Sequence, residues 1–167
     1  MITAEHCQLM ADYNRWMNRK LYGICAGMDD AARKQDRGAF FGSIHSTLNH
    51  ILYGDLAFMC RFTGEPEAVP PLGVDLYDDF DDMRQVREAL DHRIVDWAAG
   101  LTSDWLAGAL TYESKVDGIT RTVPHGAIVT HMFNHQTHHR GQAITLLNQV
   151  GLDVGTTDIP FMPQFNG

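Results

Sequence analysis

The sequence predicts an all-α protein: a bundle of four long antiparallel helices, with a short β-hairpin inserted before the last one. Two observations lead to this prediction. Apolar residues recur at spacings of three and four in four long segments, which is the period of an amphipathic helix. Between the third and fourth segments, residues 109–123 alternate β-branched and polar residues around Val-Asp-Gly, a pattern typical of a tight hairpin.

The first two helices have clear start and stop signals. We expect the first helix to run from about Thr3, a suitable N-cap residue, to Gly27. Ser43 is expected to cap the second helix, which continues to about Phe62. The loop over residues 63–73 then ends it, because its prolines and glycines cannot continue a helix.

The second half of the chain contains the other two long helices. Acidic residues at 78–82 open the third helix, where negative charge suits the positive end of the helix dipole, and it ends near Gly100. Pro124 suits a first helical position, and the fourth helix is predicted to reach Gly151, a length of about 40 Å at 1.5 Å per residue. The tail, residues 156–167, is expected to lie as an irregular strap against the bundle.

Whole-chain properties limit the classes of function. A length of 167 residues favours one domain, residues 1–167, and a net charge of −8 argues against a nucleic-acid partner. No apolar run approaches the roughly 18 residues that span a membrane, and the first ten residues do not resemble a signal peptide. A cytoplasmic location is therefore expected.

Cys7, Cys25 and Cys60 are widely spaced without a CxxC pair, so we expect reduced, buried thiols.

The strongest functional signal is the segment 131–142, which contains four of the nine histidines. At 100° per residue, His131, His135 and His139 fall within about 80° of one another on one helix face. His135 and His139 are one turn apart, the spacing at which two imidazoles of a helix can bind one metal ion. His138 is rotated by about 100° from His139, so it is not expected in the same coordination sphere.

A metal centre with an open position needs a third protein ligand, and His50 on the second helix is the candidate. It shares a stripe of small residues with Thr47, Gly54 and Ala57, so this face is expected to border a cleft or a second subunit. The alternative is that these histidines lie at the surface or form hydrogen bonds in the core without binding metal. Neither Glu-x-x-His pairs in the helical segments nor an HExxH motif is found, which argues against di-iron and metalloprotease chemistry.

Four neighbouring residues have less certain roles. Gln142 lies one turn below His139 and either supports the metal ligands or packs against the tail. His131 extends the histidine row by a turn, and contact with metal or substrate stays open. We expect Arg140 to pair with a carboxylate such as Asp55. Gly141 in mid-helix is expected to permit close helix packing.

Four segments resemble the DinB-like family, which is named for a DNA-damage-inducible protein and grouped with metal-dependent thiol transferases. They are residues 13–22, 48–55, 131–142 and 156–162, and the resemblance covers nearly the whole chain. It implies a four-helix bundle of up-down-down-up type that is usually a homodimer. The family binds zinc or nickel through a His of the second helix and an HxxxH of the fourth, which correspond to His50, His135 and His139.

The resemblance also implies a range of activities. Characterised members of the family are S-transferases or isomerases that use low-molecular-weight thiols, whereas many members have no known activity. Our first hypothesis is therefore a metal-dependent transferase, similar to a thiol S-transferase, or a hydrolase, acting on a small electrophile. A divalent ion held by three neutral histidines keeps its full charge, so a thiol or water at its open position would lose a proton near neutral pH. The alternative is a non-enzymatic, stress-related dimer whose structural or sensory site is closed by His131 or His138.

Overall fold

The computed structural model describes residues 2–66, 70–71, 73–114 and 116–166. Over these residues the chain is mostly helical, with one antiparallel sheet of two strands. The α-helices are α1 (Ala4–Ala26), α2 (Asp30–Lys34), α3 (Ile44–Thr63), α4 (Phe80–Ala99), α5 (Ser103–Ala107) and α6 (His125–Gln149), and the strands are β1 (Ala109–Glu113) and β2 (Thr120–Pro124). None of the helices in these residues has both the length and the apolar composition that crossing a membrane requires.

The four long helices α1, α3, α4 and α6 correspond to the four predicted segments. The side chain of Thr3 accepts a hydrogen bond from the backbone N–H of His6 at 3.2 Å, and that of Ser43 accepts one from Ser46 at 3.0 Å. Asp79 caps α4 in the same way. Both predicted caps, Thr3 and Ser43, are therefore confirmed, because a side-chain oxygen satisfies a backbone donor that has no partner within the first turn.

One detail of the predicted helices is wrong, and two short helices were not predicted. Pro124 is not the first helical residue: it pairs with Ala109 at the end of the β-ladder and has an extended ψ of 136°, so α6 begins at His125. The two helices that were not predicted are α2 and α5. Each has only five residues, too few to display an apolar helical period.

The predicted hairpin is confirmed, although residue 115 within it lies outside the described residues, as do residues 67–69 and 72 of the predicted loop. The hydroxyls of Thr111 and Thr122, which face each other across the ladder, are 2.8 Å apart. At the turn, the N–H of Gly118 donates to the carbonyl of Ser114 at 2.8 Å, and Gly118 has a φ of +68°. This left-handed conformation is readily available only to glycine.

The core lies between two pairs of helices, with α1 against α4 and α3 against α6. Cys7 and Cys25 are fully buried in it, and no disulfide joins the three cysteines. Burial raises the pKa of the Cys7 thiol to about 11 and that of Cys25 to about 12. These two thiols are therefore unreactive small apolar groups, as predicted, while Cys60 is only partly buried.

The tail forms a strap over α1, in agreement with the sequence. The hydroxyl of Tyr13 donates to the carbonyl of Thr157 at 2.8 Å, and Lys20 donates to the carbonyl of Thr156. Met162 is buried between two short 3₁₀ helices, Ile159–Phe161 and Pro163–Phe165. The two tail phenylalanines are half exposed, so Met162 is the apolar anchor.

A network of buried charges joins the two helix pairs. Arg87 of α4 forms ion pairs with Asp55 of α3 at 2.5 Å and with Asp91 at 2.8 Å. All three side chains are at most 4% exposed. A buried guanidinium between two buried carboxylates therefore ties α4 to α3.

The predicted pairing of Arg140 with Asp55 is wrong. Arg140 instead donates to the side-chain oxygens of Asn14 at 2.7 Å and of Gln136 at 2.8 Å. Gln136 in turn donates to Asp55, so Arg140 reaches this carboxylate only through an amide. The direct cation is Arg87, and its position beside Asp55 depends on the packing of α4, which the sequence does not reveal.

Candidate metal centre

Three histidines converge between α3 and α6. One ring nitrogen from each of His50, His135 and His139 lies within 4.8 Å of the others. The Nε2 atoms of His50 and His135 are 3.1 Å apart, and the His135 and His139 ring centroids are 4.4 Å apart. The structure thus brings together the three side chains that the sequence singled out, in a geometry that could hold a metal ion.

The close approach of α3 to α6 depends on Gly54. A Cβ atom placed on Gly54 would lie 2.6 Å from Cε1 of His135, well inside van der Waals contact, so the imidazole rests directly on the glycine backbone. Gly141 has no such role: it is exposed, and a Cβ there would meet no atom within 4 Å. The predicted packing role of Gly141 is therefore wrong, and Gly54 has that role.

The environment keeps the three imidazoles neutral. Burial lowers the pKa of His50 to about 4 and that of His135 to about 3, and it also lowers the pKa of His139. The neighbouring imidazoles lower these values further, because a second positive charge beside the first is unfavourable. Neutral imidazole is the form that binds metal, so the cluster is ready to bind at neutral pH.

A hydrogen bond orients the ligand atom of His139. Nδ1 of His139 donates to Oε1 of Gln142 at 2.8 Å, which leaves the Nε2 lone pair of His139 available. Gln142 therefore contacts a candidate metal ligand directly, which agrees with the expectation that it supports the ligands. Nδ1 of His135 is buried and has no hydrogen-bond partner among the described residues.

These positions fit a divalent ion. Nitrogen ligands lie about 2.0–2.1 Å from zinc, which puts two tetrahedral nitrogen ligands about 3.3 Å apart. The 3.1 Å separation between His50 and His135 is close to that value. Two neutral imidazoles at this separation share at most one proton, so they can form one hydrogen bond between them. An ion bound to both nitrogen lone pairs would use both of these acceptors.

Phe41 was not identified from the sequence. Its ring stacks on His50, with centroids 4.0 Å apart, and meets His139 edge-on at 5.3 Å. It lies in a tight turn before α3 in which Gly42 has a φ of +74°. A single aromatic ring therefore holds two of the three imidazoles in place, while the adjacent Phe40 is 86% exposed.

The other two histidines of the segment 131–142 lie outside the converging set. His131 is exposed, with its ring 6.1 Å from that of His135 and edge-on to Phe58 at 5.4 Å. His138 is also exposed, with its ring 4.7 Å from that of His139. The expectation that His138 points away from the cluster agrees with this geometry.

Two clefts open beside the cluster, as expected for the small-residue face of α3. One, of about 290 Å³, lies between α3, the hairpin and α6. Its described lining consists of His50, Tyr53, Gly54, Ala57, Phe58, Arg61, Tyr112, Ser114, Val116, His131 and His135. The other, of about 530 Å³, includes Phe41 and His50. The sequence did not reveal that Arg61 and Tyr112 share a cleft with the histidines, because this depends on how the hairpin docks.

Comparison with known proteins gives a family and two relatives. The model of the DinB family matches residues 1–166. Protein DinB of Bacillus subtilis (strain 168) is 22% identical over 153 residues, which cover 88% of this chain and 87% of that protein. Uncharacterized protein YrdA of the same organism is 36% identical over 44 residues, 26% of each chain.

Proposed function

Because this chain belongs to the DinB family and brings three neutral imidazoles together beside an accessible cleft, we propose that it is a metal-dependent transferase, similar to a thiol S-transferase. His50, His135 and His139 hold the ion, and a small electrophile is the acceptor. The observation that supports this proposal is the composition of the converging set. Among the described residues it contains three histidines and no fourth ligand, the arrangement of an open catalytic centre.

Imidazole ligands suit zinc and nickel, the two ions we propose. A divalent ion bound there would supply the positive charge that lowers the pKa of a thiol or water entering its open position. The protein's own part is to position the ligands. Gln142 fixes the tautomer of His139, and Phe41 covers one side of His50.

The test is metal analysis of protein purified without a histidine tag. We expect one divalent ion per chain, and we expect His135→Ala to weaken binding by at least about 100-fold, because one of three ligands is lost. His138→Ala is the matched control, since this neighbouring histidine is exposed and outside the set. A wild-type chain without stoichiometric metal, or equal effects of the two substitutions, would refute the proposal.

Activity is tested with the metal-loaded protein, a chromogenic aryl halide and a series of low-molecular-weight thiols. Thiol-dependent release of halide that His135→Ala abolishes is expected. Halide release without thiol would instead indicate a hydrolase. If cobalt-substituted protein gave no sulfur-to-metal charge-transfer band with any thiol, the alternative of a closed, non-enzymatic metal site would replace the proposal.

The finer architecture also belongs to this proposal. We expect a single domain over residues 1–167 with the up-down-down-up arrangement of the family, supported by one core to which all four long helices contribute. We also propose a homodimer, since Phe40 exposes 86% of its surface and Val74 exposes 57% on the rim of the larger cleft. Sedimentation equilibrium giving a monomer mass would refute the dimer.

A further inference from the structure

We propose that the cleft between α3, the hairpin and α6 binds a small molecule with a carboxylate, and that Arg61 recognises this carboxylate. This inference deepens the proposed function and rests on it for the position of the reacting group. It names the chemical class of the ligand: an anion at one end, an apolar middle, and a reactive end at the histidine cluster. The carboxylate belongs either to the thiol or to the electrophile that receives it.

Arg61 differs from the other cationic side chains that the structure describes. Its guanidinium lies 4.7 Å from the ring centroid of Tyr112 and 5.5 Å from that of Phe58. It makes no hydrogen bond or ion pair with any described residue. Every other described lysine and arginine forms at least one such bond.

An arginine held this way is suited to binding a ligand. Cation–π contact with Phe58 and Tyr112 places the guanidinium against two aromatic rings, and its N–H donors have no hydrogen-bond acceptor among the described residues. The planar fork of N–H donors in a guanidinium matches the two oxygens of a carboxylate. Because Arg61 has no acidic partner in the described residues, an incoming carboxylate need not displace one.

The rest of the cleft fits the same ligand. Its described lining contains no acidic residue, although the whole chain has a net charge of −8. Phe58, Tyr112 and Val116 add apolar surface to the same cleft. A carboxylate would therefore meet Arg61 without repulsion from the cleft wall.

Spacing along α3 sets the length of the ligand. Gly54, on which His135 rests, and Arg61 are seven residues apart on one helix face, about 10 Å along the axis. Helical side chains lean toward the N-terminus, which brings the guanidinium back toward Phe58. We therefore expect the carboxylate and the reactive group to be separated by about 6–10 Å.

The first experiment uses cobalt-substituted protein. Straight-chain thiols of increasing length that end in a carboxylate are compared with thiols of equal length that end in an alcohol, and affinity is read from the charge-transfer band. At one chain length or more, the carboxylate should bind about 10-fold more tightly than the alcohol, since a charge-assisted hydrogen bond is stronger than a neutral one. Arg61→Gln should reduce this preference to less than about 2-fold while leaving metal content and alcohol affinity unchanged.

The second experiment does not depend on thiol chemistry. Calorimetric titration compares phenylbutyrate with phenylbutanol on the metal-free and the cobalt-substituted protein, and the same preference for the carboxylate and the same effect of Arg61→Gln are expected. Arg61→Lys should retain part of the preference, because it keeps the charge but loses the planar fork. Arg84→Gln is the control, since it removes one positive charge from an exposed ion pair on α4.

The outcomes separate the two proposals. Equal affinity for carboxylate and alcohol in both experiments, or a preference that survives Arg61→Gln, would overturn the role of Arg61. If no thiol gives a band but phenylbutyrate binds through Arg61, the anion site stands and the thiol chemistry fails. If only the thiols show the preference for a carboxylate, the carboxylate belongs to the thiol. If phenylbutyrate shows the preference while saturating mercaptoethanol occupies the thiol position, the carboxylate belongs to the electrophile.

Discussion

Neighbouring residues of the same two helices build two very different polar regions. Gly54 of α3 and His135 of α6 face the cleft, whereas Asp55 and Gln136, the next residue in each helix, face the core. On the core side, Asp55 receives hydrogen bonds from Arg87 and Gln136. On the cleft side, ring nitrogens of three histidines converge on one another beside open space.

This difference separates a structural network from a candidate binding site. Two carboxylates, Asp55 and Asp91, and two guanidiniums, Arg87 and Arg140, balance in charge within the core, where unpaired charges would be very unfavourable. The histidine cluster instead stays neutral and keeps unshared lone pairs beside open space. Charges that balance one another in the core hold the helices together, and neutral ligand atoms beside open space indicate function.

The largest effect should follow from breaking the core network. Arg87→Met would leave Asp55 and Asp91 buried without their guanidinium, and we expect it to reduce the free energy of unfolding by about 3–5 kcal/mol at pH 7. The loss should be smaller at pH 5, because the two carboxyls can then take up protons. Urea denaturation of the metal-free protein measures both values.

The control for this prediction is Arg84→Met on the same helix. Arg84 forms an exposed pair with Glu88 at 3.0 Å, and exposed pairs contribute less than about 1 kcal/mol. A loss for Arg87→Met as small as that of the control would show that the buried network does not stabilise the fold.

A smaller effect, confined to the cleft side, should follow from Gly54→Ala. The added methyl would displace the ring of His135, and we expect metal affinity to fall by about 10–100-fold, the range found when a ligand loses its support. Stability of the metal-free protein should change little, because the higher helix propensity of alanine, worth up to about 1 kcal/mol, offsets the cost of displacing the ring. Competition with a chromogenic chelator measures the affinity.

Gly141→Ala is the matched control for this experiment. It introduces the same methyl group on α6 where no atom lies within 4 Å, so it should stabilise the protein by about 0.5–1 kcal/mol and leave metal affinity unchanged. Equal metal affinity in the two alanine variants would show that Gly54 does not position His135.

The parts of the fold that the sequence predicted depend on local patterns. Four long helices, the caps Thr3 and Ser43, and the hairpin follow from apolar periodicity and turn residues that lie close together in the chain. The pair His135 and His139 is local too, since both lie on one helix. His50 was a candidate because a third ligand had to come from another helix, and the family resemblance pointed to the same residue.

The parts that the sequence missed depend on how elements pack. The packing role expected of Gly141 belongs to Gly54, and only the contact of Gly54 with His135 shows this. Arg140 is a plausible partner for Asp55 in the sequence, but the packing of α4 places Arg87 beside Asp55 instead. Arg61 joins the cleft because the hairpin places Tyr112 over its guanidinium, an arrangement that no local pattern predicts.

The smallest effect contrasts the two regions through pH. Burial raises the pKa of Asp55 to about 6, so its contribution to the free energy of unfolding is present below the unfolded pKa near 3.9 and is lost as pH rises toward 6. The pKa of His135 is lowered to about 3, so its contribution is present above the unfolded pKa near 6.5 and is lost as pH falls. Between pH 4 and 6, the stability of metal-free Asp55→Asn relative to wild type should therefore rise with pH, and that of His135→Ala should fall. Each slope is at most about 1.4 kcal/mol per pH unit. Urea denaturation in chelator-treated samples measures the slopes, and slopes of the same sign would contradict the assignment of opposite environments to the two sides of α3 and α6.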